Sequence, residues 1–338
     1  MFVGGDGLFF VNGQTRRGLA ALDPETAALL PFDANLGFGG AFDFDVVGNT
    51  LYVAGLFIEA QGQPRRGAAA FDPDTSALRP WSPMLYGGAR AIAATGERVI
   101  LGGFIYSAGP IERQGFARID LTTGQPLPER GNVEKVSALL RLGDVIVMAN
   151  SNGLEAYRAA TMEPLPWRHS VDGTVSVLAT DGARLFVGGS FAAIGGVPRQ
   201  HLAAFDLASG ALSDWAPWPD APVDAMAVDG RVVYVGGRFR SFPGYGRGSG
   251  AALDAVSGQV LTWNPKADGW IEALAVLPNR VVVAGSFGRL TGVVRVGVGS
   301  VDKSVGTPLE IGPFSSSPTH AAVVFRDTLL LGGQFYDV

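Results

Sequence analysis

Short apolar runs closed by two small residues recur along the chain: MFVGG at 1–5, LYVAG at 51–55, VILGG at 99–103, LFVGG at 185–189, VYVGG at 233–237, VVVAG at 281–285 and LLLGG at 329–333. A degenerate copy, VIVMA at 145–149, fills the gap between the third and fourth. The last residues of successive runs lie 50, 48, 46, 40, 48, 48 and 48 positions apart. Self-similarity at that period marks an array of supersecondary units. Within one unit, turn residues separate four short apolar segments, which predict strands over 223–228, 232–237, 249–254 and 260–263. No stretch sustains a 3.6-residue period, so helix is expected to be nearly absent.

Four strands in a unit of this length predict an all-β fold, a β-propeller of seven four-stranded blades around a central channel. Residues 1–338 then form one domain, with a degenerate repeat near 136–170. The second strand occurs eight times and the others seven, so an eighth, partial blade stays open. Closure is expected to place N-terminal and C-terminal strands in one sheet, which removes open edges. The paired glycines are expected where neighbouring units approach too closely for a side chain or where a strand bulges. No GxxxxGK[ST] or GxGxxG pattern accompanies them, so phosphate binding is the wrong inference.

Other columns also repeat. Arg65, Arg113, Arg199, Arg247 and Arg295 each fall ten residues after the marker run, and Arg16 follows with one residue inserted. Asp72, Asp120, Asp206, Asp254 and Asp302 fall seventeen after it, with Asp23 offset by the same insertion. Six copies of one chemistry indicate scaffold: the aspartates shape a turn through backbone N–H groups, and the arginines clamp neighbouring loops. Phe32, Trp81, Trp167, Trp215 and Trp263 recur on the fourth strand, and packing between units accounts for them.

The segment LFVGGSFAAIGGVPRQHLAAFDLASGALSDWAP, 185–217, resembles the bacterial repeat called delta-sixty and, more distantly, the propeller repeats of fungal cortical-marker proteins. Its pattern V-G-G-x-F, G-x-x-R, A-x-F/L-D, G-x-L-x-x-W-x-P runs through nearly the whole chain. The unit from Val145 to Trp167 departs from it, with Arg158 in place of the Asp. The resemblance implies a propeller from a secreted, periplasmic or cell-surface protein and brings no catalytic residues with it. Met1-Phe2-Val3-Gly4-Gly5 reads as a strand of the repeat, so any secretory leader is expected upstream.

Composition narrows the function classes. Charged residues are 17% of the chain against 47% hydrophobic, net charge is −5, and the basic residues are scattered. No basic stripe exists for a nucleic-acid backbone. No apolar run approaches the ~18 residues that predict a membrane-spanning helix, so membrane insertion is not expected. The chain has no Cys, which removes disulfides, thiolate metal sites and a cysteine nucleophile. There is no GxSxG elbow and no HExxH, and the only histidines are His169, His201 and His320. His201 opens a third strand and is read as structural.

In a repeat, positions that vary between copies are where function is sought. Thirteen residues before the marker Gly, at the start of the innermost strand, lie Phe42, Arg90, Ser176, Asp224, Glu272 and His320, with Ser137 one residue nearer in the degenerate unit. Two places on, the same strands carry Phe44, Ile92, Leu139, Leu178, Met226, Leu274 and Ala322. A ring of mixed polar groups is therefore expected at one mouth of the channel. Trp218, Trp270, Tyr86 and the run Trp167-Arg168-His169 lie on loops expected near the same mouth; Trp218 and Trp270 stand outside the repeated aromatic column, and exposed rings beside acids suit sugars or other ring-bearing ligands. Asp43 and Asp45 share a strand face and are a weaker calcium candidate.

Two functions fit these residues. The first is a secreted or cell-surface scaffold that binds a small molecule, glycan or protein at the channel mouth. The second is a calcium-dependent hydrolase of esters or lactones, with Asp224 and Glu272 as metal ligands and His320 as the proton carrier, by analogy of fold with propeller lactonases. A solvated, mutually neutralising rim accounts for the charged ring without either.

Overall fold

The computed structural model describes residues 2–11, 14–23, 28–37, 39–128, 133–310, 321–325 and 328–334; for 2–11, 15, 20, 22, 321–325 and 328–334 only the backbone course is described. Among these the chain is all strand and turn, and no helix is long and apolar enough to cross a membrane. Seven main sheets of three to five strands follow one another, accompanied by three short two-stranded ladders.

The first sheet joins Gly39–Val47, Thr50–Phe57 and Ala68–Phe71. The second is built on Leu85–Ala94, Arg98–Ala108 and Phe116–Asp120. The third, from the degenerate unit, contains Ala138–Leu142, Val145–Asn150, Gly153–Arg158 and Pro164–His169. Val171–Thr180, Arg184–Ile194 and Leu202–Asp206 form the fourth, Val223–Asp229, Val232–Gly237 and Gly250–Asp254 the fifth, and Trp270–Val276, Arg280–Ser286 and Val298–Asp302 the sixth. The seventh joins the two ends of the chain: Phe2–Val11 pairs in parallel with Thr328–Gln334, flanked by Gln14–Leu22 and Leu29–Asp33 on one side and Ala321–Phe325 on the other. The surplus second strand is thus accommodated as a fifth strand of this sheet.

The first strand of each sheet packs against the first strand of the next, from Gly39–Val47 round to Ala321–Phe325, which meets Gly39–Val47 again. Among the described residues, six cores of buried side chains each lie between two successive sheets. Tyr52, Ala70 and Trp81 meet Leu85, Ile92 and Ile119, and Tyr234, Ala252 and Trp263 meet Ile271, Leu274 and Val301. A sheet covered on both faces needs apolar residues on both, which is why the second strands read as unbroken runs. Runs of alanine such as Ala68, Ala69 and Ala70 let the sheets come close.

The two glycines of the marker do different work. At the first, an added Cβ would strike side chains on or just before the inner strand of the following sheet: Val136 at Gly102, Met226 and Val223 at Gly188, where Val177 of its own sheet is equally close, and Ile271 at Gly236. At the second it would strike a carbonyl oxygen of its own sheet's inner strand, that of Gly40 at Gly55, Gly88 at Gly103, Thr174 at Gly189, Pro222 at Gly237 and Trp270 at Gly285. Both expected reasons for glycine hold, one at each position.

The fourth strand departs from expectation. In five units it is reduced to one bridge, Phe71 with Leu78, Ile119 with Pro126, Phe205 with Leu212, Leu253 with Val260 and Val301 with Pro308. The recurring arginine replaces the missing ladder: Arg65, Arg113, Arg199, Arg247 and Arg295 donate to the carbonyls of Arg79, Leu127, Ser213, Leu261 and Leu309. These clamps hold the outer segment of the same unit and not a neighbouring loop, which corrects the reading from spacing. The next residues bear the link between units. Trp81, Trp167, Trp215 and Trp263 donate their indole N–H to the carbonyls of Asp120, Gly210, Asp254 and Asp302 of the following unit, at 2.8–2.9 Å. The recurring aspartates shape turns as expected; Asp254 Oδ1 accepts from Val256 N, Ser257 N and Ser257 Oγ.

Candidate functional site

Five inner strands carry a β-bulge, a place where two residues oppose one on the partner strand. The pairing skips Phe42, Arg90, Ser176, Asp224 and Glu272. These are the variable column found in the sequence. A bulge turns its extra residue out of the ladder, and here it aims one residue per sheet at a common space. The bulge also brings the carbonyl two residues earlier onto the second marker glycine, so marker and variable residue belong to one local device. The degenerate third sheet lacks the glycines and its inner pairing has no bulge, and Ser137 enters from just before the inner strand.

The bulged residues and Ser137 converge on one cavity of ≈ 290 Å³, floored by Leu139, Leu178, Met226 and Leu274. The expected apolar layer beneath a polar ring is present. His320 lies outside the described residues. A second variable column lines the same rim, the residue directly after the marker. Asp224 pairs with Arg238 at 3.0 Å, Glu272 accepts from Ser286 Oγ at 3.2 Å, and the Arg90 guanidinium lies 5.5 Å from the Phe104 ring centre. Each pair is separated by fourteen positions, as the register of the hairpin requires. Arg90 also lies over the Phe42 ring at 5.4 Å, and Arg238 over Trp270 at 4.8 Å. Arg238, Ser286 and Phe104 were missed in the sequence, although the fixed spacing was there to be found.

The aromatic candidates do not line this cavity. Trp270 opens an inner strand, 44% exposed, and holds Arg238 on its face. Trp218 is 40% exposed with left-handed backbone at φ +58°. Tyr86, 62% exposed, lies beside Tyr106 with ring centres 5.9 Å apart. His169 ends the outer strand of the third sheet and packs between Trp167 and Phe205 at 4.9 and 4.7 Å. Burial there holds its imidazole below the ordinary value, favouring the neutral form. His201 occupies a left-handed position at φ +63°, where Gly67, Gly115 and Gly297 stand in other units.

Asp43 and Asp45 are committed to the backbone. Asp43 accepts from Ile92 N at 2.9 Å and Phe44 N at 2.9 Å; Asp45 accepts from Ala94 N at 2.6 Å and Val46 N at 2.7 Å. They tie the first inner strand to the second through N–H groups that the sheets leave unpaired. Removal from water pushes the Asp43 carboxyl up to about 7, against the lowering effect of its backbone donors, and raises Asp45 for the same reason. The calcium reading of this pair gives way to a strand tie. Asp224 and Glu272 fit calcium poorly as well: Arg238 places a positive charge on Asp224, Ser286 occupies Glu272, and no group of three or more His, Asp or Glu side chains among the described residues is arranged to hold a metal ion.

No protein-family model and no curated protein matches the chain. Among solved structures it resembles the computationally designed Ika8 protein, with a TM-score of 0.63, 16% identity and coverage of 99% of each chain. That likeness speaks to fold alone. The class defined by fold and site is an all-β protein of successive, mainly antiparallel sheets with variable residues gathered at one cavity.

Proposed function

We propose that this chain is a seven-bladed β-propeller of the delta-sixty type, secreted or displayed at a cell surface, that binds a ligand at its channel mouth without transforming it. The circular order of seven inner strands supports the propeller. One observation carries the function: the residues that vary between repeats are the ones the bulges deliver to a single cavity. A scaffold that repeats everywhere except at its rim suits recognition, because rigid sheets hold the variable groups in place.

The acids at the rim support binding over hydrolysis. Asp224 and Glu272 already have protein partners, which orients them as hydrogen-bond acceptors and leaves neither as an evident metal ligand. No step of a hydrolytic mechanism is assigned to them.

A thermal-shift screen of small molecules and oligosaccharides against the wild type and Ser176→Trp tests the reading. The indole would fill the cavity from one wall. Compounds that raise the wild-type midpoint are expected to leave the variant's midpoint unmoved, with its fold checked by circular dichroism. Equal shifts in both proteins would place binding elsewhere and overturn the reading.

A further inference from the structure

The degenerate unit has a structural consequence at the rim. In the fifth and sixth sheets, the connection after the second strand forms a short ladder, Ser241–Phe242 with Tyr245–Gly246 and Arg289–Leu290 with Val293–Val294. An aspartate of the preceding loop anchors that connection. Asp220 accepts from the backbone N–H of Arg240 and Ser241, and Asp268 from those of Gly288 and Arg289. In the third sheet, Val145–Asn150 turns directly into Gly153–Arg158, with neither ladder nor aspartate. Its loop is held instead by Ser151, which donates through N and Oγ to the carbonyl of Glu134.

The space above this sheet is a groove of ≈ 420 Å³ that shares Arg90 and Ser137 with the cavity at the mouth. Lys135 stands on its wall in left-handed backbone, φ +53°. Arg90 and Lys135 are both exposed, and among the described residues no carboxylate pairs with either. The rings of Phe42 and Phe104 hold the Arg90 guanidinium in place. Elsewhere on the rim the cation has its acid, as Arg238 has Asp224. Glu155, an acid joined to the groove through Asn150, accepts from Asn150 Nδ2 and Tyr157 OH.

We propose that this groove binds a carboxylate-bearing saccharide, with the carboxylate on Arg90 and Lys135. The inference rests on the reading of the mouth as a binding site and names its ligand class. A guanidinium held in plane presents two parallel N–H donors to a carboxylate, and the ammonium adds a third. The rest of the lining suits hydroxyl groups. Ser137 Oγ donates to the carbonyl of Val175, and Ser151 Oγ to that of Glu134, so both oxygens keep lone pairs for sugar O–H groups. Thr174 adds a hydroxyl from the fourth sheet. Two cations beside a chain of net charge −5 favour a singly charged group over a polyanion, which would also face Asp224 and Glu272 across the mouth.

The test is an array of neutral, uronate-bearing and sialylated oligosaccharides, followed by calorimetry of the tightest acidic sugar and its carboxyl-reduced form. The wild type is expected to select acidic sugars and bind the reduced form about tenfold more weakly or worse. Arg90→Gln and Lys135→Gln are each expected to lose a similar factor, with unfolding midpoints close to wild type. Two variants keep the test valid if Arg90→Gln disturbs the Phe42 and Phe104 packing. Equal binding of neutral and acidic sugars that Ser176→Trp abolishes would overturn the anion site and leave the mouth reading standing. Acidic-sugar binding untouched by both glutamine variants would also overturn it, as would an array on which nothing binds; the thermal-shift screen then decides the mouth reading separately.

Discussion

Arg238 donates through Nε to Asp224 at 3.0 Å while its guanidinium covers the Trp270 ring at 4.8 Å, so two sheets share one cation at the rim. Both partners reach solvent, and the ion pair contributes about 0.2–1 kcal/mol, with a similar amount from the ring. Arg238→Ala is expected to cost about 1 kcal/mol of stability. A double-mutant cycle with Asp224→Asn and Trp270→Ala checks it: coupling to both partners is expected, and coupling to neither would contradict the shared-cation arrangement.

The second marker glycine is required by the bulge that aims the rim residue. Gly103→Ala and Gly189→Ala would drive Cβ into the carbonyls of Gly88 and Thr174. Backbone cannot yield as a side chain does, so a loss of about 1–3 kcal/mol or more is expected at each site. Gly96, where an added Cβ meets nothing, is the control, expected near neutral as Ala. Chemical denaturation of the three variants measures this directly.

The tryptophan that links successive units gives a third test. Trp215→Phe keeps an aromatic ring against Phe186 and removes the N–H that Asp254's carbonyl accepts. A loss of about 1–3 kcal/mol is expected, because the Asp254 carbonyl keeps Gly258 N but loses its indole donor, and a smaller ring leaves a void. A change below about 0.5 kcal/mol would show that packing alone joins the sheets.

Asp43 sets a pH dependence whose sign is fixed. Folded, its carboxyl keeps the proton up to about 7; unfolded, it releases it near the ordinary 3.8. Across that interval the folded state binds more protons, so stability falls as pH rises from about 4 to about 7. Asp45, also raised, acts in the same direction. Asp254 and Asp302, held low by turn hydrogen bonds and, for Asp254, by Arg231, contribute stability that is lost as pH falls below the carboxylate range. Unfolding midpoints from pH 5 to 8 should decline in the wild type and flatten in Asp43→Asn. Parallel profiles would contradict the assignment.

The sequence showed the period, the all-β class, the marker glycines and the polar ring, because each rests on identical local geometry repeated in every unit. It misread the outer segment. A pattern such as Leu212 to Trp215 looks like a strand, yet the chain is fixed there by one bridge, by the Arg199 guanidinium and by an indole reaching the next unit. The partners Arg238, Ser286 and Phe104 stayed hidden for another reason. Their fixed distance from the bulge residues acquires meaning only once the bulge is known to place both at one rim. His169, expected on a loop near the mouth, instead ends an outer strand that pairs with Gly153–Arg158 and carries the imidazole into the packing of the fourth sheet.

The most direct test of the binding account is a crystal structure of the protein with the strongest compound from the thermal-shift screen. The account predicts the ligand at the cavity ringed by Arg90, Ser137, Ser176, Asp224 and Glu272, touching at least two of these side chains. A ligand seated on the outer face of a sheet, with only solvent at the rim, would contradict it.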